Sequence, residues 1–199
     1  MHARVALAAA TLAALAATLA CTTRIAGIAS PATTPPATAQ PATTSTAAPA
    51  AETPLNLDAH RGTPCTSLTD AQAAHHLGDE VDKQPDPEGL AGPGCRWQSP
   101  PPGAFITVSY PHADDGLAVL HRYRDQFDTF EELQVSGYPA VAVSTSAVPD
   151  ACTITIGASD TTHLAVHYAP SNTDLGGLTA CQAGRRIASE VMANIETSR

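Results

Sequence analysis

Eight histidines are the residues of this chain best suited to bind a transition metal. His163 and His167 lie four positions apart, but on a strand that spacing separates two side chains by about 13 Å, too far for one ion. His75 and His76 are adjacent, and adjacent side chains on a helix point about 100° apart. The sequence has neither a His-Glu-x-x-His motif nor paired Cys-x-x-Cys motifs. We therefore predict no metal ligands and no cofactor; a metal site assembled from histidines distant in sequence is the alternative.

A covalent catalytic mechanism would require an activated serine or cysteine. No Gly-x-Ser-x-Gly motif is present, and the cysteines are better used as cross-links. The acidic pairs Asp114-Asp115 and Glu131-Glu132 are neighbours in sequence, so helix capping or solvation accounts for them. We predict no catalytic residues and a protein that is not an enzyme. A hydrolase whose residues are brought together from distant positions is an alternative that one sequence leaves open.

Four cysteines follow position 60, and they can pair in three ways. We favour disulfides Cys65–Cys95 and Cys152–Cys181, because each bond joins an element to its neighbour along the chain. The two intervals are 30 and 29 positions. Loops of that length give about 3–4 kcal/mol of stabilisation per bond in the chain-entropy model.

The fifth cysteine, Cys21, follows a segment typical of an export signal. After Arg4, an uncharged run rich in Ala and Leu extends from Val5 to Leu19. This run is shorter than the roughly 20 residues that span a bilayer. The residues before Cys21 are similar to a bacterial lipobox, except that Thr18 stands where leucine is usual. We predict a signal peptide at 1–20 and lipidation of Cys21, which would place the protein on the extracytoplasmic face of the cell membrane.

Two alternatives to lipidation remain at this stage. A plain secretory signal with an incidental Cys21 would give a secreted protein, and an uncleaved signal would act as an anchor helix. Counting cysteines favours lipidation, because acylation of Cys21 leaves an even number of thiols to pair. Acyl chains would anchor the protein stably, at about 0.8 kcal/mol for each buried methylene.

The charge of the chain excludes one class of partner. The formal net charge is −9, and removal of Arg4 with the signal peptide would make it −10. A protein with this charge is repelled by nucleic acid and by anionic membrane surfaces. We therefore expect contact with the membrane only through the lipid. The other partner would be an envelope protein or a small apolar ligand, and no nucleic acid.

Composition divides the mature chain into a tether and one domain. Residues 21–54 consist mostly of Ala, Thr and Pro and contain no aromatic residue, so they cannot bury enough apolar surface to offset the entropy of ordering. Residues 55–199 are long enough to build a single core. We predict a disordered spacer at 21–54 and a folded domain at 55–199.

Local signals place the elements of that domain. Thr69 and Gln72 have capping-box spacing, so we predict a helix that ends before Gly78. Residues 79–94 are rich in Asp, Pro and Gly and predict a loop. A second helix should follow Asp114-Asp115 and reach Phe127, and the last should begin at Thr179. Strands are predicted at 95–97, 105–110, 131–135, 140–143, 152–156 and 163–168, with a turn or bulge at 137–139.

The order of these elements indicates the fold class. Strands come as adjacent pairs, which is typical of an antiparallel sheet with helices packed on it. We predict an α+β domain with a sheet of about five or six strands, packed helices and two disulfides. Trp97, the only tryptophan, should fill the core near the Cys65–Cys95 bond.

The motifs taken together resemble a known family. An export signal ending in cysteine and an Ala/Thr/Pro tether precede the domain. Within it, Pro64-Cys65, Cys95-Arg-Trp97, Gly137-Tyr-Pro139-Ala and Cys152-Thr-Ile-Thr-Ile follow in order, and Cys181 leads the terminal helix. This order resembles the actinobacterial lipoproteins grouped as domain of unknown function 3558. The resemblance implies a membrane-anchored protein outside the cytoplasm with two disulfides, and it implies no established activity.

Three functions are compatible with the sequence. We favour a tethered, non-enzymatic binding or interaction module at the cell envelope, because an anchor and a long spacer are present without catalytic motifs. The alternative is a carrier that encloses a small apolar ligand in a cavity. A hydrolase is the third hypothesis.

Overall fold

The computed structural model describes residues 51–89, 91–101, 103–112, 115–147, 150–171 and 176–198. The predicted signal peptide, Cys21 and all but the last residues of the tether lie outside these ranges, as do Asp114 and Pro149. Everything described belongs to one compact unit, Thr44–Arg199. Within the described ranges, no helix is both long and apolar enough to cross a membrane.

The described residues form an α+β domain built on one antiparallel sheet. Its helices are α1 (Asp58–Gly62), α2 (Asp70–Leu77), α3 (Ala118–Arg122) and α4 (Ala180–Thr197). Its strands are β1 (Asp82–Asp86), β2 (Gly94–Gln98), β3 (Phe105–Ser109), β4 (Thr129–Val135), β5 (Tyr138–Ser144), β6 (Cys152–Gly157) and β7 (His163–Ala169). The strands lie in the order β1-β2-β3-β7-β6-β5-β4, and every neighbouring pair is antiparallel. The predicted fold class agrees with this architecture.

The predicted number of strands is wrong, because the sheet has seven and not five or six. The additional strand is β1, which lies within the predicted loop 79–94 and pairs with β2. All five of its residues are exposed, so it has no alternation of apolar and polar side chains to detect. Pro85 is tolerated because β1 is an edge strand.

The predicted turn at 137–139 is also misplaced. The β4–β5 hairpin turns at Ser136 and Gly137, whose φ angles are 51° and 82°. Two consecutive positive φ angles are typical of a type I′ hairpin turn, which matches the twist of the flanking strands. Tyr138 and Pro139 are instead the first, buried residues of β5, a position at a strand start that proline tolerates.

Capping signals located two helices correctly. Thr69 with Gln72 and Thr179 with Gln182 each form a complete capping box at the start of α2 and α4. The predicted helix up to Phe127 is interrupted, because α3 ends at Arg122 and a 3₁₀ turn follows it. No residue within α3 itself is buried, whereas α4 buries seven, so packing stabilises α3 less than α4.

The core lies between one face of the sheet and helix α4. Alternate residues of β2, β3, β7 and β6 project to this face and pack against Ile187, Val191 and Ile195, which are fully buried. The disulfides pair Cys65 with Cys95 and Cys152 with Cys181, as favoured from the sequence. Trp97 is completely buried, which confirms its predicted place in the core.

The second face of the sheet is only partly covered. The segment around α3 packs there over β4 and β5, where Leu117 contacts Val141 and Val143. The same face of β2, β3, β7 and β6 carries half-buried side chains. This part of the sheet presents polar side chains in a row across neighbouring strands.

Candidate functional site

Five half-buried residues define a surface on β2, β3, β7 and β6 that we call the open face: Arg96, Phe105, Thr107, Thr153 and His167. Arg96 pairs with Thr107, Thr107 with His167, and His167 with Thr153. Directly paired residues project to the same side of an antiparallel sheet. Four side chains therefore form one row across four strands, with Phe105 beside it.

The local sequence explains why these side chains point outward. In Cys95-Arg-Trp97, the cysteine and the tryptophan are buried in the core, and the arginine between them projects to the other face. Thr153 stands in the same way between buried Cys152 and Ile154. The period of two along each strand thus separates the core from the open face.

Arg96 holds the only cationic side chain of the open face. Its Cζ lies 3.7 Å from the centroid of the Phe105 ring, and its Nε donates to Gln98 Oε1 at 3.1 Å. A guanidinium over an aromatic ring gains cation–π attraction and is held in a defined position. No carboxylate of the described residues lies within ion-pairing distance of Arg96. Its terminal nitrogens are available to an anion.

His167 is the second functional group of the row. Its Nδ1 lies 2.9 Å from Thr153 Oγ1, and its ring centroid lies 5.4 Å from that of Phe105. Burial lowers the pKa of His167, and the positive charge of Arg96 lowers it further. The imidazole is therefore neutral near pH 7, and Thr153 Oγ1 donates to Nδ1 or accepts from it, depending on the tautomer. In the tautomer in which Thr153 donates, the proton is on Nε2 and that N–H is a donor for a ligand.

A hydroxyl beside an imidazole is also the arrangement of a nucleophile and its base, so hydrolysis has to be weighed. A catalytic histidine is normally oriented by an acid on its second nitrogen. No carboxylate of the described residues bonds to His167 Nε2, and the lowered pKa makes the ring a weaker base. Among the described residues, the pair therefore lacks the acid that orients a catalytic histidine.

A small cavity of about 110 Å³ lies next to Thr153 and His167. Phe127, Val143 and Ala151 provide its apolar walls. Larger clefts of about 620 and 650 Å³ lie beside β1 and between β4 and the start of α4. The first is lined by Gln84 and Gln98, next to Arg96, and the second shares Ser144, Thr145 and Ala151 with the small cavity. Of these three spaces, the small cavity is the one lined by His167 and Thr153.

The histidines considered in the sequence do not come together. His76 lies with Nε2 at 3.1 Å from both carboxylate oxygens of Glu190, so it links α2 to α4. His163 is buried at the start of β7, and burial is the main reason why its pKa is lowered. In the part of the chain that the structure describes, no three His, Cys, Asp or Glu side chains form a metal-binding group.

The acidic pairs are separated in the same way. Glu131 contacts Arg185 of α4, and Glu132 lies 3.5 Å from His121. Asp115 pairs with Arg122 at 2.8 Å. These contacts join neighbouring elements, and none of them creates a pair of facing carboxylates.

Arg96, Phe105, Thr107 and Thr153 are site residues that the sequence alone did not indicate. The signal for them was the alternation of polar with buried residues in the predicted strands. Alternation shows which side chains avoid the core, but it does not show which strands are neighbours. The row exists because β3 pairs with β7, more than 50 residues later in the chain.

Comparison with known proteins identifies a family and nothing more specific. The sequence profile of the family described as "Protein of unknown function (DUF3558)" matches residues 16–194. No curated protein and no solved structure gives a significant match. Because the match covers most of the chain, this protein belongs to the DUF3558 family of proteins of unknown function.

Proposed function

We propose that this protein is an exported lipoprotein, anchored through Cys21 on the extracytoplasmic face of the cell membrane, and that it acts there as a non-enzymatic interaction module. The export signal, the lipobox-like residues before Cys21 and the Ala/Thr/Pro tether support the location. The tether gives the domain reach away from the membrane.

The open face is the observation that carries the binding function. An antiparallel sheet needs only one face in the core and leaves the other to water. Here the second face combines Arg96 stacked on Phe105 with a row of hydrogen-bonding side chains. Arginine and aromatic residues are enriched where proteins bind partners. A surface of this composition is better explained by a partner than by solvation alone.

Binding at the surface is favoured over carriage of a ligand inside the domain. The space between the sheet and α4 is filled by large side chains that are fully buried, among them Trp97, Ile154 and Met192. The cavity beside Thr153 has room for a few heavy atoms only, at about 110 Å³. A carrier of a larger apolar ligand would need its core to open.

Replacement of Cys21 by alanine tests the anchor. We expect Cys21→Ala to abolish acylation, because only the thiol can form the thioether, and to move the protein from the detergent phase to the aqueous phase in a phase-partition experiment. Mass spectrometry of the N-terminal peptide measures the lipid directly. A variant that partitions and is processed like the wild type would contradict the lipoprotein assignment.

Site-specific photo-crosslinking in the intact envelope tests the interaction module. A benzophenone amino acid at Thr107 should give a discrete adduct of reproducible mass, because this position lies in the middle of the open face. The same amino acid at Ser189, an exposed position on α4, is the matched control. Identical adducts at the two positions, or none at Thr107, would contradict binding through the open face.

A further inference from the structure

We propose that the open face binds a carboxylate with a single negative charge and a short aliphatic group, such as the C-terminal residue of a peptide with an aliphatic side chain. Arg96 is the binding cation, and the cavity beside Thr153 takes the aliphatic group. This inference rests on the proposed function and names the chemistry of its partner.

Arg96 is oriented by two neighbouring side chains. Its Nε is occupied by Gln98, and the Phe105 ring supports the guanidinium plane. The terminal nitrogens make no hydrogen bond to any described residue. Arginine presents two parallel N–H donors that match the two oxygens of a carboxylate. An arginine that is held in place without a carboxylate partner is a preorganised anion site.

Further donors lie along the same row. Thr107 stands directly between Arg96 and His167 in the register of the sheet. Neighbouring strands are about 4.8 Å apart, so an anion above Thr107 is within reach of the side chains on both sides. The Thr107 hydroxyl can donate to it, and so can Nε2–H of neutral His167 in the tautomer that accepts from Thr153 at Nδ1.

The cavity determines what else the ligand carries. It begins at His167 and Thr153 and is bounded by Phe127 and Val143. Its near edge, at His167, is one strand spacing, roughly 5 Å, from Thr107, and Thr153 is two strand spacings away. An aliphatic side chain on the carbon next to a carboxylate that is bound between Arg96 and His167 reaches this near edge. Its walls are mostly apolar, with Ser144 and Thr145 also lining the space, so about 110 Å³ favours a small aliphatic group over a large polar one.

The negative charge of the surroundings favours a ligand that carries only one negative charge. The chain has a net charge of −9, and Arg96 is the one cation of the open face. Asp82 and Asp86 lie on the adjacent strand, on the same side of the sheet as Arg96. A phosphate monoester, which carries up to two charges, meets more repulsion here and would need more than one cation.

The test uses the full processed chain in a neutral detergent, with the methyl groups of threonine isotopically labelled. N-acetyl-leucine is the probe, and its amide, N-acetylglycine and methyl phosphate are the comparison compounds. Methyl signals of Thr107 and Thr153 report on the open face, and that of Thr197 on α4 is the internal control. We expect saturable shifts of the first two signals only, with a Kd of about 1 mM for a ligand of this size.

The variants give the decisive comparison. Arg96→Gln should weaken the binding of N-acetyl-leucine about tenfold or more, because a charge-assisted hydrogen bond is lost. Arg186→Gln, an exposed arginine on the opposite side of the sheet, should leave it unchanged. N-acetylglycine should bind at least about tenfold more weakly than N-acetyl-leucine, because the cavity stays empty.

Several results would overturn the inference: equal binding of acid and amide, tighter binding of methyl phosphate, or no shift with any compound. The proposed function fails separately. If Thr107 still gives a specific photo-crosslink while N-acetyl-leucine does not bind, the open face is an interaction surface whose partner is not a carboxylate. If both experiments fail, the open face is not the binding surface.

Discussion

Replacing Cys152 and Cys181 together by alanine should lower the free energy of unfolding by about 3–4 kcal/mol. The bond closes a loop between residues 29 positions apart and ties β6 to α4. Without it, the unfolded chain gains the conformational freedom that the cross-link removes. The loss is large against the roughly 5–15 kcal/mol that stabilises a typical domain.

Denaturation with guanidinium chloride, followed by circular dichroism, measures this loss. The matched control is the double variant of Cys65 and Cys95, whose loop is of almost the same length, with a separation of 30. The chain-entropy model predicts nearly equal losses for the two pairs. A loss below about 1 kcal/mol for the 152–181 pair would contradict a major stabilising role for this bond.

The Cys152–Cys181 bond also matters for the proposed function. Cys152 precedes Thr153, which contacts His167 and borders the small cavity. The bond therefore fixes one end of the strand that presents part of the open face. In a variant without this bond, we expect the Thr153 side chain to become disordered before the Arg96 side chain on β2 does.

Trp97→Ala should cost about 3–5 kcal/mol, because it leaves a large cavity in a core that can relax only partly. Trp97 has no exposed surface and belongs to the same buried cluster as Cys95. It is the largest side chain in a core built mainly from aliphatic residues and alanine. Few neighbours are long enough to fill the space that it would leave.

Trp97→Phe is the matched variant, and it should cost only about 1–2 kcal/mol. It keeps an aromatic ring in place and breaks no hydrogen bond to a described residue, because the indole N–H has no acceptor among them. Equilibrium unfolding of both variants gives the comparison. Equal losses for alanine and phenylalanine would show that the ring does not fill the core as described.

The elements that can be located from the sequence are those that depend on residues close together along the chain. Thr69 and Thr179 begin helices because each side chain accepts from a backbone N–H three positions later, an interaction contained in four residues. Strands β2, β3, β6 and β7 are recognisable because every second residue enters the core. The pairing of the cysteines follows from the same local order.

The errors have a different origin. Strand β1 escapes prediction because it is held by backbone hydrogen bonds to β2, and its exposed side chains carry no pattern. Proline usually marks turns, which favours a turn at Pro139, whereas the hairpin bends at Ser136 and Gly137. In both segments, pairing with the backbone of a neighbouring strand fixes the backbone conformation: β1 pairs with β2, and β4 pairs with β5.

The sequence by itself indicated the α+β class, the starts of α2 and α4 and the acidic charge of this protein, and it favoured the observed cysteine pairs, because each depends on composition or on residues close along the chain. Only the tertiary structure decided the candidate site. Arg96 and His167 are 71 positions apart and share the open face because β3 pairs with both β2 and β7. Strand order depends on how whole faces bury apolar surface, so no local pattern specifies it.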